Sequence, residues 1–341
     1  VVDLQPDLSP ASALYRAHRS IHLAEIEAQT LATYAARARR GDYDGIAVFD
    51  PDLPQPFRRV TDFTAPLPFP GTVPEGVRPN IVVVFMEGFS ARLMESYGGR
   101  IPGLTPNLDA QAGRFMLVDD YFGHSAATYR GIIGQLSSGH LRYGGAHWEE
   151  SFGTEAAGPP TFGRTLPEIL GERGYETVFL TPDHPENPWV RTLGTIGYDH
   201  VYHFGTIAEL LGSQPQEEPP VPGVPDRDMM AALWAFLSRH DGSAPVFLGV
   251  YNAGTHAFID TPDGKQRFGA GDNAMQNRMH EYDTAIAPFL DAFFASPLAE
   301  DTILILTADH ATYPEPPTVA AFEGPDYAPH FIDRIPLMIH S

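Results

Sequence analysis

The sequence predicts an α/β fold, a three-layer α/β/α sandwich around a mostly parallel sheet. From about residue 79 onward, apolar runs rich in β-branched residues alternate with segments of helical periodicity. Two of the apolar runs end abruptly in acidic residues, at Glu87 and at Asp309. Such alternation is typical of parallel sheets covered by helices on both faces, and the functional side chains of these sheets gather at the carboxyl ends of the strands.

The first 78 residues are expected to form a separate N-terminal region. Small and apolar residues recur there at spacings of three and four, which predicts one helix that ends at Gly41. Prolines then recur every few residues from Pro51 to Pro79, as is typical of an extended connector. The chain is therefore expected to divide into residues 1–78, a helix and connector, and residues 79–341, the main domain.

Six strands and four helices are predicted in the main domain. The strands are expected at Ile81–Met86, Phe115–Tyr121, Glu176–Thr181, Val246–Tyr251, Thr302–Thr307 and Ile335–Ile339. The helices are expected at Thr128–Ser137, Thr165–Arg173, Asp226–Ser238 and Met275–Phe294. Residues 212–225, rich in Pro and Glu, are expected to be a surface loop. Because the last strand stops where the sequence stops, we expect the domain to be truncated there.

Composition and charge exclude several classes of function. The 22 Lys and Arg against 43 Asp and Glu give a formal net charge of −21, which repels nucleic acid at long range. The chain has no cysteine, so disulfides, thiol chemistry and a cysteine-ligated metal are excluded. No apolar run approaches the ~18 residues that span a bilayer. Since the sequence begins at Val1, we expect a domain cut from a longer protein that is tethered to a membrane through its N-terminal side.

The acidic strand ends predict a metal site. Glu87 follows one strand, and Asp309 with His310 follows another. Each taken alone is as readily explained by a solvated loop residue or a helix cap. On separate strands of one parallel sheet, however, they are expected to lie together, and carboxylates beside an imidazole suit a divalent cation of the Zn or Mn type.

A hydroxyl group is predicted to act at the same place. Thr128 follows small residues and precedes an apolar stretch, which indicates a tight turn into a helix N-terminus. The simplest interpretation is a helix cap. A catalytic threonine needs activation, which coordination to a cation provides by lowering the pKa of the hydroxyl, and a helix N-terminus favours phosphate oxygens. Ser125 is the rival nucleophile.

These residues together resemble a known family. The order of Glu87, Thr128, His256, Asp309 and His310 resembles the alkaline phosphatase and sulfatase superfamily, and within it the lipoteichoic acid synthase-like phosphoglycerol transferases. The resemblance covers about residues 79–341. It implies a sulfatase-like catalytic domain in which Thr128 is the nucleophile and one divalent metal ion is bound by four side chains, Glu87, Thr128, Asp309 and His310. Mn is the expected metal, with Zn or Mg as alternatives.

The same resemblance extends to residues that bind the substrate. The segment 183–191 carries His184 and then Trp189-Val-Arg191, similar to a family segment whose Trp and Arg hold a glycerol phosphate head group. The planar guanidinium of Arg191 suits two phosphate oxygens. His256 resembles the family histidine near the scissile phosphate, where an imidazole protonates a leaving alcohol. His330 and His124 are weaker candidates.

The resemblance implies an enzyme that works outside the cytoplasm. The expected reaction transfers a phosphoglycerol group from a phosphatidylglycerol-like lipid to a hydroxyl of a glycan or a growing glycerol phosphate chain, through phospho-Thr128. A phosphoethanolamine transferase, a phosphodiesterase or phosphatase, and a non-catalytic binding module are the alternatives. Sulfate ester hydrolysis is disfavoured, because the chain has no Cys and no Ser in the Cys/Ser-x-Pro-x-Arg motif of sulfatases. The lack of cysteine also counts against phosphoethanolamine transfer.

Overall fold

The computed structural model describes residues 78–123, 125, 127–138, 164–322 and 332–341. Apart from Arg78, the helix and connector predicted for residues 1–78 lie outside the described residues. His124 and His330 lie outside them too. Among the helices that the structure describes, none combines the length and the apolar composition that a membrane span requires.

A seven-stranded mixed sheet forms the centre of the domain. Its order is β2-β7-β6-β1-β5-β3-β4, and every neighbouring pair is parallel except the two that β7 makes. The predicted α/β class with a mostly parallel sheet is therefore confirmed. The strands are β1 Asn80–Met86, β2 Met116–Leu117, β3 Glu176–Leu180, β4 His200–Tyr202, β5 Val246–Tyr251, β6 Thr302–Ala308 and β7 Leu337–His340.

Helices cover both faces of the sheet. Four helices match the predicted ones to within two residues at each end, and three of these have ten or more residues. The other four have five to eight residues, which gives a periodic pattern little length to show. The helices are α1 Pro106–Gln111, α2 Thr128–Ser137, α3 Leu166–Gly171, α4 Pro188–Thr195, α5 Ile207–Leu211, α6 Asp226–Arg239, α7 Ala274–Phe294 and α8 Pro316–Phe322.

Strand β1 is apolar throughout because both of its faces are buried. Val82 and Val84 point into a hydrophobic cluster that includes side chains of α6 and α7. Val83 and Phe85 point into a second cluster with side chains of α2 and α4. Since successive side chains of a strand alternate between faces, these two clusters lie on opposite sides of the sheet and make the fold three-layered.

The strand predictions fail mainly at the edge of the sheet. Of the predicted strand Phe115–Tyr121, only Met116–Leu117 is regular strand. The last strand begins after Pro336, which has no N–H to donate, and so is shifted toward the C-terminus. Strand β4 was not predicted, because its three residues carry no apolar run.

The loop 212–225 is also less exposed than expected, since Val221 and Val224 are buried.

The pairing of β1 with its two neighbours decides where the strand ends meet. Met86 at the end of β1 lies opposite Ala308 at the end of β6, and Phe85 lies opposite Tyr251 at the end of β5. The residues that follow these three strands therefore share one edge of the sheet. They include both acidic ends that the sequence singled out.

Helix α2 approaches this edge at a distance that only glycine allows. A Cβ atom built on Gly131 would lie 1.8 Å from the carbonyl oxygen of Asp309. Gly131 is buried and lies about one helical turn after Thr128. The absence of a side chain at position 131 thus sets the spacing between the start of α2 and the end of β6.

We predict that Gly131→Ala destabilises the domain although alanine favours helices. The added methyl group must push α2 away from Asp309, and overpacking of this kind lowers the free energy of unfolding by about 1–3 kcal/mol. Urea denaturation measures the change. Gly194→Ala in α4 is the matched control, because nothing lies within 4 Å of its Cβ position. Equal stability of the two variants would contradict the close approach of α2.

Candidate metal centre

Three potential metal ligands lie together at the carboxyl edge of the sheet. Glu87 directly follows β1, and Asp309 and His310 directly follow β6. All three side chains are buried, and one ligand atom of each lies within 4.8 Å of those of the other two. The parallel pairing of β1 with β6 thus brings together two segments that are more than 200 residues apart in sequence.

The hydrogen bonds of the three side chains leave ligand atoms facing one another. His310 donates from Nδ1 to the carbonyl oxygen of Ala311 over 2.8 Å, so Nε2 is the nitrogen that carries the lone pair when the imidazole is neutral. This Nε2 lies 3.4 Å from Glu87 Oε1 and 3.5 Å from Asp309 Oδ2. Within the described residues, both carboxylate oxygens are buried without a hydrogen-bond partner. Unpartnered oxygens around an imidazole nitrogen fit a divalent cation.

The electrostatics of the cluster also favour a cation. Burial and the neighbouring Glu87 raise the pKa of Asp309 well above its usual range. Burial would lower the pKa of His310, but the two carboxylates outweigh it and raise that pKa to about 10. Burial likewise opposes ionisation of Glu87, yet the charge of His310 keeps its pKa low. Two carboxylates in a region of low dielectric therefore require positive charge beside them.

Hydrogen bonds fix the side chain of Asp309 and the backbone of Glu87. Asp309 Oδ1 accepts hydrogen bonds from the backbone N–H groups of Gly88, over 2.8 Å, and His310, over 2.7 Å. The backbone N–H of Glu87 donates to Asn252 Oδ1 over 2.9 Å, and Thr255 Oγ1 donates to the carbonyl oxygen of Glu87 over 2.6 Å. The loop after β5 thus fixes the end of β1.

Thr128 places its hydroxyl group on the metal-ligand cluster. It is the first residue of α2, and its Oγ1 donates to Glu87 Oε2 over 2.8 Å. Ala127 before it has φ +79° and ψ +136°, a conformation that residues with a side chain rarely adopt. The backbone directly before Thr128 is therefore strained. Ser125 Oγ is buried and, among the described residues, has no partner.

Tyr251 is a site residue that the sequence interpretation missed. It is the last residue of β5, and its hydroxyl donates to Glu87 Oε2 over 2.6 Å and lies 3.4 Å from Thr128 Oγ1. Burial, followed by the charge of Glu87, raises the pKa of Tyr251 well above its usual range, so the phenol keeps its proton. In the sequence Tyr251 is one more apolar residue of a strand, and only its position at the strand end could have drawn attention.

A cavity of about 320 Å³ opens onto Thr128. Its lining includes His310, His256 and Trp189, together with the acidic side chain of Asp183. Trp189 is 4% exposed, and no described group pairs with its Nε1. His256 is exposed, and its Nδ1 donates to the carbonyl oxygen of Ala257 over 2.8 Å, which leaves Nε2 available. Four expected site residues therefore share this cavity: Thr128, Trp189, His256 and His310.

Two of the expected substrate-binding residues do not line this cavity. The side chain of Arg191 is exposed to solvent. The imidazole of His184 stacks on Phe204, and its Nε2 lies 2.7 Å from Glu217 Oε1. The loop 212–225, expected to be mere surface, contributes Pro222 to the wall instead.

The sequence model of the sulfatase family matches residues 79–341. The chain belongs to this family. Members of the wider alkaline phosphatase superfamily act on phosphate or sulfate esters and use a divalent metal, and the cluster of Glu87, Asp309 and His310 could hold one. The superfamily expected from the sequence is thus confirmed. No curated protein sequence matches the chain.

Solved structures of the superfamily share the fold of this sulfatase-family domain. An alkaline phosphatase superfamily protein from Vibrio parahaemolyticus is 24% identical, with a TM-score of 0.62 over 77% of this chain and 60% of that one. The lipoteichoic acid synthase LtaP from Listeria monocytogenes is 16% identical, with a TM-score of 0.62 over 77% and 65%. The C-terminal periplasmic domain of EcEptC from Escherichia coli, in complex with Zn, is 16% identical, with a TM-score of 0.51 over 77% and 72%.

These matches show a shared fold and no more. The chain spans only about 60% and 65% of the lengths of the Vibrio and Listeria proteins.

We predict that the domain binds about one divalent cation per chain and that Glu87→Gln abolishes this binding. The amide removes one charge and one ligand oxygen, so affinity should fall by more than the roughly 10–100-fold that loss of an outer hydrogen bond costs. Elemental analysis and calorimetric titration with Mn²⁺ and Zn²⁺ measure the effect. Glu300→Gln, an exposed site, is the control. Equal cation binding by both variants would show that Glu87 is not a metal ligand.

Proposed function

We propose that this sulfatase-family domain is a metal-dependent transferase that moves a phosphoglycerol group from a phosphatidylglycerol-like lipid to an acceptor hydroxyl through phospho-Thr128. The acceptor would be a glycan or a growing glycerol phosphate chain. One observation carries the proposal. Thr128 is the first residue of a helix and lines the cavity, and its hydroxyl lies 2.8 Å from the carboxylate of Glu87 in the ligand cluster.

The residues present fit a resident divalent cation. Glu87, Thr128, Asp309 and His310 would hold it, with Mn expected and Zn or Mg as alternatives, because two carboxylate oxygens, one imidazole and one hydroxyl suit such ions. When bound, the ion would lower the pKa of the Thr128 hydroxyl and offset negative charge on the phosphoryl oxygens.

The side chains of the domain divide the remaining chemistry. Thr128 Oγ1 releases its proton along the hydrogen bond to Glu87 and forms a bond to phosphorus. The bond from phosphorus to the diacylglycerol oxygen breaks, and Nε2 of His256 protonates that oxygen. The helix N-terminus at Thr128 stabilises the phosphoryl oxygens. The acceptor hydroxyl then gives its proton to His256 and displaces Thr128 Oγ1 from phosphorus, and Oγ1 takes back its proton from Glu87.

Trp189 supports a head-group pocket in the same cavity. Its indole is buried, and its Nε1–H is available to a glycerol hydroxyl or a phosphate oxygen. In this proposal Arg191 and His184 make no direct contact with the head group in the observed conformation, because neither lines the cavity. We also propose that the domain works outside the cytoplasm, tethered to a membrane, as the likeness to a periplasmic domain supports.

The exposed position of Arg191 favours a second candidate function. Without that guanidinium, the described lining of the cavity has no Arg or Lys to hold the phosphate, and water could take the place of the acceptor. The domain would then be a phosphodiesterase or phosphatase with the same nucleophile and metal ligands. A phosphoethanolamine transferase would also use this site, although the chain lacks cysteine.

We predict that brief incubation of the metal-loaded domain with phosphatidylglycerol adds a glycerophosphate group to Thr128. Thr128→Ala should lose the adduct and reduce turnover by about a thousandfold or more, because alanine has no hydroxyl to form the bond to phosphorus. Peptide mass spectrometry locates the adduct. Thr195→Ala, an exposed threonine at the end of α4, should behave like the unmodified chain. An adduct on Ser125 would identify the rival nucleophile instead.

We predict that transfer exceeds hydrolysis when an acceptor is present. The lipid donor, labelled in its glycerol head group, is incubated with and without a glycolipid that offers a primary hydroxyl. Transfer predicts a labelled glycolipid whose yield rises with acceptor concentration, because the acceptor competes with water for phospho-Thr128. Release of free glycerol phosphate alone, at any acceptor concentration, would favour the hydrolase.

A further inference from the structure

Phe258 combines backbone strain with an exposed apolar side chain. Its φ is +68°, which a bulky residue rarely adopts, and 55% of its surface is accessible to solvent. It lies two residues after His256 in the loop that follows β5. Neither strain nor exposure of a phenyl ring stabilises a fold, so the combination points to a functional role.

A buried ion pair maintains the strained conformation. The backbone N–H of Phe258 donates to Glu315 Oε2 over 2.7 Å. The other carboxylate oxygen of Glu315 accepts a hydrogen bond from Arg278 of α7, and both side chains are about 1% exposed. Arg278 also donates to the carbonyl oxygens of Thr255, over 3.0 Å, and Ile259, over 3.1 Å. The loop is therefore fixed on both sides of Phe258.

The ring of Phe258 extends the aromatic wall of the cavity. It stacks against Tyr313, with ring centroids 6.5 Å apart and planes inclined by 23°. Tyr313 lines the cavity that holds Thr128 and His256. An exposed phenyl ring thus continues an aromatic surface that begins at the reacting groups.

We infer that Phe258 and Tyr313 form a platform for the apolar part of the leaving alcohol, which rests on the function proposed above. In phosphoryl transfer the leaving oxygen lies opposite the nucleophile, and His256, the residue proposed to protonate that oxygen, shares its loop with Phe258. The alcohol that leaves is the diacylglycerol part of the donor. The net charge of −21 gives an anionic lipid no long-range attraction, so apolar contact is the interaction that this surface can offer.

The experiment compares two diesters that share the glycerol phosphate head group. One is dihexanoyl phosphatidylglycerol, and the other is the ethyl ester of glycerol phosphate, whose leaving alcohol is ethanol. For Phe258→Ala we expect kcat/KM for the lipid to fall about tenfold or more, mainly through KM, and kcat/KM for the ethyl diester to stay within about twofold. Phe258→Leu should retain most of the lipid activity.

Two further variants separate the ring from the fold. Phe258→Gly removes the ring and also relieves the backbone strain, so it should lose lipid preference as Phe258→Ala does while melting at the same temperature as the unmodified domain or higher. Met116→Ala, another exposed apolar site at the edge of the sheet, should leave both kcat/KM values unchanged.

The possible failures are distinguishable. If Phe258→Ala left kcat/KM for the lipid unchanged, or reduced kcat/KM equally for both diesters, the platform would be overturned and the proposed function would stand. An effect that appears only with a sugar acceptor present would assign the ring to the acceptor and overturn the platform as stated. If the unmodified domain turned over the ethyl diester and no lipid, the proposed donor would fall and the platform with it.

Discussion

The close burial of two like-charged carboxylates, Glu87 and Asp309, is the constraint on which the rest of the site depends. Parallel pairing of β1 with β6 forces them together, because Met86 and Ala308 lie opposite each other at the strand ends. Backbone N–H groups and His310 offset part of the repulsion. Two oxygens still face the cluster without a described partner, and a cation is the group that meets this requirement.

A second layer of polar side chains links the backbone of Glu87 to the rest of the domain through hydrogen bonds. Asn252, which binds the backbone of Glu87, donates in turn to Asp226 at the start of α6 over 3.1 Å. Burial raises the pKa of Asp226 to about 6. A Cβ on Gly254 would lie 2.3 Å from an oxygen of Asp226, so the loop closes tightly over this carboxylate. The loop that fixes Glu87 therefore also carries His256 and contacts Arg278.

The sequence predicts those parts of the site that follow long apolar runs. It misses those that depend on the direction in which a side chain points. Glu87 and Asp309 stand out because each interrupts a buried strand. Trp189 and Arg191 form a motif in the sequence, but both lie in α4, where residues two apart point to different sides of the helix. Trp189 is consequently buried at the cavity, and Arg191 is exposed. Asn252 gave no signal, since a polar residue after a strand is ordinary.

Under the proposed function, the charge of the cavity would make substrate binding depend on a bound cation. Within the described lining there is no Arg or Lys, whereas Asp183 adds a carboxyl group whose pKa burial raises, with the charge of Glu87 contributing. A phosphodiester in this cavity would meet positive potential, among the described residues, only from the start of α2, from histidine and from a cation held by Glu87 and its neighbours. The ion that activates Thr128 would therefore also admit the substrate, so recognition and catalysis share one source of positive charge.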